Sequence, residues 1–134
     1  MVIDSSALIA ILHGEPEAPA FLEAIRADPR RIVSAVTKLE AGMVAVGQRG
    51  LAGGGDFDRL LTRIGATIIS FDDEQADIAR EAFARFGKGR HKAGLNFGDC
   101  AAYALAMLEA EPLLFKGTDF AATDVAVVEF PAEK

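Results

Sequence analysis

Cysteine is nearly absent from the sequence, which holds one cysteine, Cys100, and no tryptophan. A single cysteine can form neither an internal disulfide nor a cysteine-based zinc site, so a reducing compartment, the cytoplasm, is expected. Long apolar runs are also lacking, since none approaches the roughly 20 residues of a membrane span. The first stretch, "MVIDSSALIAIL", has an acid and no basic residue, unlike a signal peptide. We therefore expect a protein without membrane association.

Positive charge is scarce as well. The chain has 14 lysines and arginines against 20 acids, which gives a net charge of −6. Proteins that coat nucleic acid nonspecifically are normally basic, so the net charge argues against a passive nucleic-acid binder. An enzyme that binds phosphates through divalent cations is compatible with this net charge. The 134 residues are 51% apolar, which predicts a single globular domain over residues 1–134.

Short apolar runs typical of strands alternate with amphipathic segments typical of helices. Strands are predicted at 2–3, 31–35, 66–71, 112–116 and 125–130, and helices at about 5–12, 16–27, 36–49, 56–63, 73–86 and 97–110. The strand runs are continuously apolar, as expected for strands that are covered on both faces. The sequence therefore predicts an α/β domain with a central parallel sheet of about five strands, flanked by helices.

Two further stretches are predicted to be loops. "QRGLAGGGD", at 48–56, is rich in glycine and separates two predicted helices. "FGKGRHKAGLN", at 86–96, contains Lys88, Arg90, His91 and Lys92 but no acid, which makes it the most basic segment of an acidic chain. Composition alone leaves two readings of this basic loop open: an ordinary solvated loop, or a contact surface for phosphates.

Four acids lie where the carboxyl ends of the predicted strands would meet. Asp4 follows the first strand, Glu40 lies in the helix after the second, and Asp119 follows the fourth. Asp99 opens the apolar helix that leads into the fourth strand. Ligands bind at this edge of an open α/β sheet. Carboxylates gathered there repel one another unless a cation neutralises them, and oxygen ligands favour Mg²⁺ or Mn²⁺ over zinc.

Each acid also has a purely structural explanation. Asp4 and Asp119 could cap the helix or turn that follows them, and Glu40 could be an ordinary solvated helix residue. Asp99 stands three residues after Asn96, a spacing that matches a capping box. The helix behind Asp99, "CAAYALAML", is so apolar that both of its flanks are expected to be covered. A carboxylate at the mouth of a covered helix points into a cleft, so Asp99 is the strongest candidate metal ligand.

Four segments together resemble one known family. They are "VIDSSALIAIL" at the start, "SAVTKLEAG" at 34–42, "LNFGDCAAYALA" at 95–106 and "LLFKGTDFAATDV" at 113–125. In this order and spacing they are similar to a PIN domain, specifically to the toxins of VapBC-type toxin–antitoxin pairs. The resemblance implies a parallel sheet flanked by helices and a Mg²⁺- or Mn²⁺-dependent endoribonuclease. Its substrates would be transfer RNA or ribosomal RNA, cleaved with one or two metal ions.

The resemblance also assigns roles to residues. The family's catalytic and metal-binding acids fall on Asp4, Glu40, Asp99 and Asp119. Residues implied to support these acids or the substrate are Ser6, Asn96, Thr118 and Asp124, with Arg90 and Lys92 added from the basic loop. Thr118 stands where many family members have asparagine, which leaves that position with a hydroxyl but no amide.

The resemblance implies two protein partners. One is a cognate antitoxin whose C-terminal segment lies across the toxin, and the apolar helices at 7–12 and 36–46 would suit it. The other is a second copy of the chain, as a homodimer. The main alternative is a catalytically weak module that binds protein or RNA. Phosphoaspartate enzymes fit poorly, because the D-x-D of the phosphatases and the last-strand lysine of receivers are both missing.

Overall fold

A computed structural model describes residues 1–130 of the chain. Its sheet consists of β1 (Val2–Ile3), β2 (Ile32–Ser34), β3 (Thr67–Ile69) and β4 (Leu113–Leu114). The strands are ordered β3-β2-β1-β4, and every neighbouring pair is parallel. The predicted α/β class with a central parallel sheet is therefore confirmed.

The predicted fifth strand at 125–130 is wrong as a strand. That segment forms a single parallel bridge, between Leu113 and Val127. The Leu113 amide donates to the carbonyl of Ala126 over 2.9 Å, and the Val128 amide donates to the carbonyl of Leu113 over 3.0 Å. Because β4 itself has only two residues, it offers this edge segment too short a ladder for a full strand. Within residues 1–130 the sheet has four strands rather than about five.

In the described part of the chain, five helices cover the two faces of the sheet. They are α1 (Ser5–Leu12), α2 (Ala18–Ala27), α3 (Ala35–Arg63), α4 (Asp73–Phe86) and α5 (Phe97–Glu109). Successive strand residues point to opposite faces. Ile3 and Val33 accordingly pack with α1, α2 and α3, whereas Val2 and Ile32 pack with α4 and α5. None of the helices within residues 1–130 combines the length and apolarity that a membrane crossing requires.

The glycine-rich stretch at 48–56 is helical, so its prediction as a loop is wrong. Helix α3 is interrupted only at Arg49 and Gly50, where the chain bends back on itself, and Gly50 has a φ of 63°. We call residues 35–48 the first limb and residues 51–63 the second limb. A Cβ on Gly53 would lie 2.2 Å from the carbonyl oxygen of Ala45. The glycines here permit close contact between the limbs rather than a flexible loop.

The elements that carry the predicted acids converge at the carboxyl edge of the sheet. Asp4 ends β1 and caps α1, while Ser34 ends β2 and caps the first limb of α3. The basic stretch at 86–96 is a series of turns, as predicted, and a parallel bridge between Gly87 and Leu95 closes it. This bridge ends the loop directly before Asn96, the N-cap residue of α5.

Candidate active site

Asp4 is the most deeply buried of the four acids, with 2% of its surface exposed. Its Oδ2 caps α1 by accepting hydrogen bonds from the amide of Ser6, over 3.0 Å, and from its hydroxyl, over 2.6 Å. Its Oδ1 is buried and has no hydrogen-bond partner within the described residues. The capping explanation is thus correct for one oxygen only. The other oxygen is a buried acceptor that its surroundings leave unsatisfied.

Burial raises the pKa of Asp4 to about 6, against the two Ser6 hydrogen bonds that lower it. The carboxylates of Asp99 and Glu40 raise this pKa further. A buried carboxylate that faces other carboxylates is stabilised either by a proton or by a cation. The electrostatics of Asp4 therefore favour occupation of the site by positive charge.

Ser6 connects Asp4 to the segment that follows β4. Its hydroxyl donates to Asp4 and accepts a 2.9 Å hydrogen bond from the amide of Lys116. Thr118 and Asp119 follow this anchored residue after Gly117, and both are exposed. Asp119 begins the 3₁₀ turn Phe120–Ala122 but makes no side-chain capping bond. Its carboxylate is consequently free of a structural role at that turn and adds negative charge beside Asp99.

Asp99 lies in the capping box that the sequence predicts. Its Oδ2 accepts from the amide of Asn96 over 3.0 Å, and its own amide donates to the side-chain oxygen of Asn96 over 2.9 Å. Burial raises the pKa of Asp99, the Asn96 bond lowers it, and the charges of Glu40 and Asp119 raise it. The cap therefore fixes the direction of a carboxylate that also interacts with two other acids.

Glu40 reaches the same place from the first limb of α3. Its carboxylate occupies the position where a side chain on Gly98 would lie, because a Cβ there would be 2.1 Å from Glu40 Oε2. Gly98 directly precedes Asp99, so the Glu40 carboxylate adjoins the first turn of α5. Glu40 and Asp99 raise the pKa of Asp4, and Glu40 and Asp119 raise the pKa of Asp99, which agrees with the predicted convergence of the four acids at one edge of the sheet.

Asp124 is held elsewhere. It accepts a 2.5 Å hydrogen bond from the hydroxyl of Tyr103 and forms a 3.2 Å ion pair with Arg85. The Tyr103 bond is the main cause of a lowered pKa at Asp124. These contacts fasten the segment after the 3₁₀ turn to α4 and α5. They give Asp124 a structural role, and its part in the site remains a prediction from resemblance.

The basic loop is exposed beside the start of α5. Lys88, Arg90 and Lys92 are all exposed, and none of them forms an ion pair with an acid of residues 1–130. His91 is used internally, since its Nδ1 accepts from the amide of Ala93 over 3.0 Å. Three cations therefore remain available near Asn96 for an anionic ligand.

The chemistry of the donor set fits a hard divalent cation. All four candidate ligands are carboxylates, and both histidines have other partners: His13 bonds Gln48 over 2.6 Å and His91 bonds Ala93. The unsatisfied Oδ1 of Asp4 is the acceptor that such an ion would complete. Within the described residues no three His, Cys, Asp or Glu side chains form a preassembled metal cage. The acids are near one another, and a cation would have to draw them together.

Comparison with known proteins identifies the fold and the family. The sequence model of the PIN domain matches residues 1–126. The chain belongs to the PIN-domain family. A curated PIN-family relative, the ribonuclease VapC of Mycolicibacterium smegmatis, is 49% identical over 128 residues, which cover 96% of this chain and 99% of that protein. Within the family the chain thus belongs with the VapC ribonucleases, as the sequence predicts.

Solved structures agree on the PIN fold. The Mycobacterium tuberculosis toxin VapC20, described as cleaving the sarcin-ricin loop, superposes with a TM-score of 0.78 at 14% identity, covering 97% of this chain and 98% of that one. A toxin–antitoxin complex from Klebsiella pneumoniae contains a chain with a TM-score of 0.69 at 23% identity, covering 95% of each. At these identities the likeness concerns the PIN fold alone.

Sequence reasoning did not identify two contributors to the site. Gly98 makes room for Glu40, and Lys116 supplies the amide that binds Ser6. The sequence did contain a signal for Gly98, because it is a glycine directly before a candidate ligand in a helix that has no other glycine. Lys116 acts through its backbone amide, so its side chain gave no signal in the sequence.

Proposed function

We propose that this PIN-domain protein is a Mg²⁺- or Mn²⁺-dependent endoribonuclease and the toxin of a type II toxin–antitoxin pair. The observation that carries the proposal is the buried, unsatisfied Oδ1 of Asp4, which faces the charges of Glu40 and Asp99. When bound, one or two divalent ions would lower the pKa of a water and offset charge at the phosphate. RNA phosphodiester hydrolysis is the chemistry that such a carboxylate site and its VapC relative both support.

The residues take distinct parts in this proposal. Asp4, Glu40 and Asp99 would hold the first ion, and Asp119 would help to bind a second ion or orient the attacking water. Ser6 fixes Asp4, and Asn96 fixes Asp99, through the hydrogen bonds already described. Thr118 offers an exposed hydroxyl beside Asp119.

The basic loop is the proposed contact for the RNA backbone. Arg90 and Lys92, with Lys88, present unpaired positive charge next to the first turn of α5. Lysine and arginine supply most of the salt-dependent affinity for phosphates. Since residues 48–56 are helical, the loop at 86–96 is the stronger of the two candidates for selecting transfer RNA or ribosomal RNA.

The metal dependence of cleavage tests this function. Purified chain, free of antitoxin, is incubated with total RNA in Mg²⁺, in Mn²⁺ and with a chelator, and the fragment ends are mapped. We expect discrete fragments that require the metal and stop forming when antitoxin is added. A well-folded chain that cleaves nothing in either metal would contradict the proposal and favour the alternative, a module that mainly binds protein or RNA. The same proposal places the protein in the cytoplasm, where it would meet this RNA.

The antitoxin is the proposed protein partner, and its C-terminal segment the part that binds. Of the two predicted contact helices, α1 turns Ala7, Leu8 and Ala10 into the core and offers little free surface. The first limb of α3 instead exposes Leu39 by 63% and Met43 by 65%. These side chains line a cleft of about 650 Å³ together with glycines of both limbs.

Substitution in this cleft tests the antitoxin surface. Met43→Lys places a charge among apolar side chains, so we expect at least tenfold weaker antitoxin binding in calorimetry. Leu51→Lys is the control, because Leu51 is 91% exposed on the second limb and does not line the cleft. Equal affinity of both variants for the antitoxin would move the proposed surface elsewhere. Light scattering of the same proteins measures the homodimer that we also propose.

A further inference from the structure

Gly98 has an unusual neighbour for a residue in the first turn of a helix. A Cβ at this position would lie 2.1 Å from Glu40 Oε2, 2.4 Å from Oε1 and 2.4 Å from Cδ. No real Cβ approaches other atoms so closely. The whole carboxylate of Glu40 therefore occupies the volume that any other residue at position 98 would fill.

The backbone conformation does not explain this glycine. Gly98 is absent from the residues with positive φ, so an L-amino acid could adopt its conformation. Glycine also lowers helix stability by up to about 1 kcal/mol relative to alanine. What distinguishes this position is the space left by the missing Cβ, which the carboxylate of Glu40 fills.

We propose that Gly98 is a positioning residue of the active site: its lack of a side chain seats the Glu40 carboxylate beside Asp99 and Asp4. The inference rests on the proposed metal-dependent function. It adds the requirement that position 98 has no side chain, besides the four acids themselves. The charge of Glu40 acts on both Asp4 and Asp99, which agrees with this seat. A Glu40 carboxylate displaced from it would leave the shared edge of the sheet with one ligand fewer.

At two other tightly packed glycines, an added Cβ would clash with backbone rather than with the end of a side chain. A Cβ on Gly53 or Gly87 would meet a backbone carbonyl, that of Ala45 at 2.2 Å or that of Phe83 at 2.3 Å. Backbone cannot move aside without disturbing the fold. At Gly98 the nearest atoms belong to the end of a flexible side chain, which can swing away. Gly98→Ala should therefore leave the fold intact and displace Glu40.

The test compares Gly98→Ala with Gly55→Ala in the full chain. Gly55 lies in the second limb of α3 and does not line the proposed antitoxin cleft, and a Cβ there would make only an ordinary contact of 3.4 Å with the end of Arg59. We expect Gly98→Ala to melt at or above the wild-type temperature, to bind Mn²⁺ at least tenfold more weakly in calorimetry, and to show a displaced Glu40 carboxylate in its crystal structure. Gly55→Ala should match the wild type in Mn²⁺ affinity.

A second comparison separates positioning from other effects. In a Glu40→Ala background, which removes the displaced group, Gly98→Ala should cause no further loss of Mn²⁺ affinity. Wild-type Mn²⁺ affinity in Gly98→Ala, or an equal loss in both backgrounds, would overturn the inference. Failure of the proposed function has a different signature, namely a wild-type protein that cleaves no RNA in Mn²⁺, whatever the behaviour of the glycine variant.

Discussion

At the scale of single residues, the two oxygens of Asp4 have different tasks. Oδ2 stabilises the start of α1 through Ser6, and Oδ1 is buried without a partner in the described chain. An unsatisfied buried acceptor lowers the stability of the fold, and a bound cation would satisfy this one. Asp4 thus joins a structural role and a proposed catalytic role in one carboxylate.

The raised pKa of Asp4 predicts that the metal-free protein loses stability as the pH rises. The folded-state pKa is about 6 and the ordinary value is 3.8, so the folded state holds this proton more tightly than the unfolded state. Stability from Asp4 is complete below pH 4 and falls as the pH passes 6, by up to about 3 kcal/mol. Asp4→Asn, which carries no charge, should therefore unfold at higher denaturant concentration than wild type at pH 8 in chelator.

Denaturant titrations at pH 8 and pH 4, with Asp73→Asn as the control, measure this effect. Asp73 is an exposed acid in the first turn of α4, so its removal should change little at either pH. The advantage of Asp4→Asn should shrink at pH 4 and disappear at pH 8 when Mn²⁺ stabilises the wild type. An Asp4→Asn variant that is less stable than wild type at pH 8 would count against the assigned charge state.

The amino-acid sequence alone predicted much of this site, and the part that it could not predict has a physical explanation. Asp4, Asn96 and Asp99 were predictable because capping follows local rules that need only a few neighbouring residues. The meeting of Glu40 with Gly98 joins residues that are far apart in the chain, and depends on how α3 packs against α5. The unsatisfied oxygen of Asp4 likewise depends on burial, which no short motif encodes.

At the scale of elements, helix α3 shows how composition can mislead. Glycine-rich segments usually predict loops, because glycine destabilises helices. Here Gly53 is buried against the carbonyl of Ala45, so a glycine is required by close packing of the two limbs. The true turn occupies only Arg49 and Gly50. Tertiary contact, which single-sequence patterns do not contain, decided between loop and helix.

The basic loop is the element for which charge makes the clearest prediction. Removing two of its exposed cations, in the double variant Arg90→Ala and Lys92→Ala, should raise the KM for RNA roughly tenfold at about 0.1 M salt. The kcat should change little, because neither residue adjoins the acids through any described contact. The dependence of KM on salt should also become shallower, since fewer counterions are released on binding.

Steady-state cleavage at several salt concentrations measures both effects. Arg80→Ala is the matched control, because Arg80 is an exposed cation on α4 whose contact with Asp77 is a loose one at 3.7 Å. If the double variant keeps the wild-type KM and salt dependence, residues 86–96 do not contact RNA and form an ordinary solvated loop.

At the scale of the whole molecule, the topology supports the proposal that a chain of net charge −6 binds RNA. Parallel strands in the order β3-β2-β1-β4 bring the residues after β1, β2 and β4 to one edge, where α5 also starts. Acids from four separate segments meet there beside the one basic loop. The alternation of strands and helices predicted this arrangement, whereas the edge segment near Val127 had no sequence signal that separated it from a strand.

The proposal that this acid cluster cleaves RNA is the central claim, and one measurement tests it most directly. Metal-dependent cleavage of RNA by Asp99→Asn is compared with that of Asp73→Asn, since both acids lie in the first turn of a helix. At position 99 asparagine can still accept the capping bond from the amide of Asn96, and Asp73 makes no capping bond within the described residues that could be lost. We expect Asp99→Asn to fold and to lose at least a hundredfold in cleavage rate, and Asp73→Asn to retain wild-type cleavage. Equal cleavage by both folded variants, with the same fragments, would contradict the assignment of the active site.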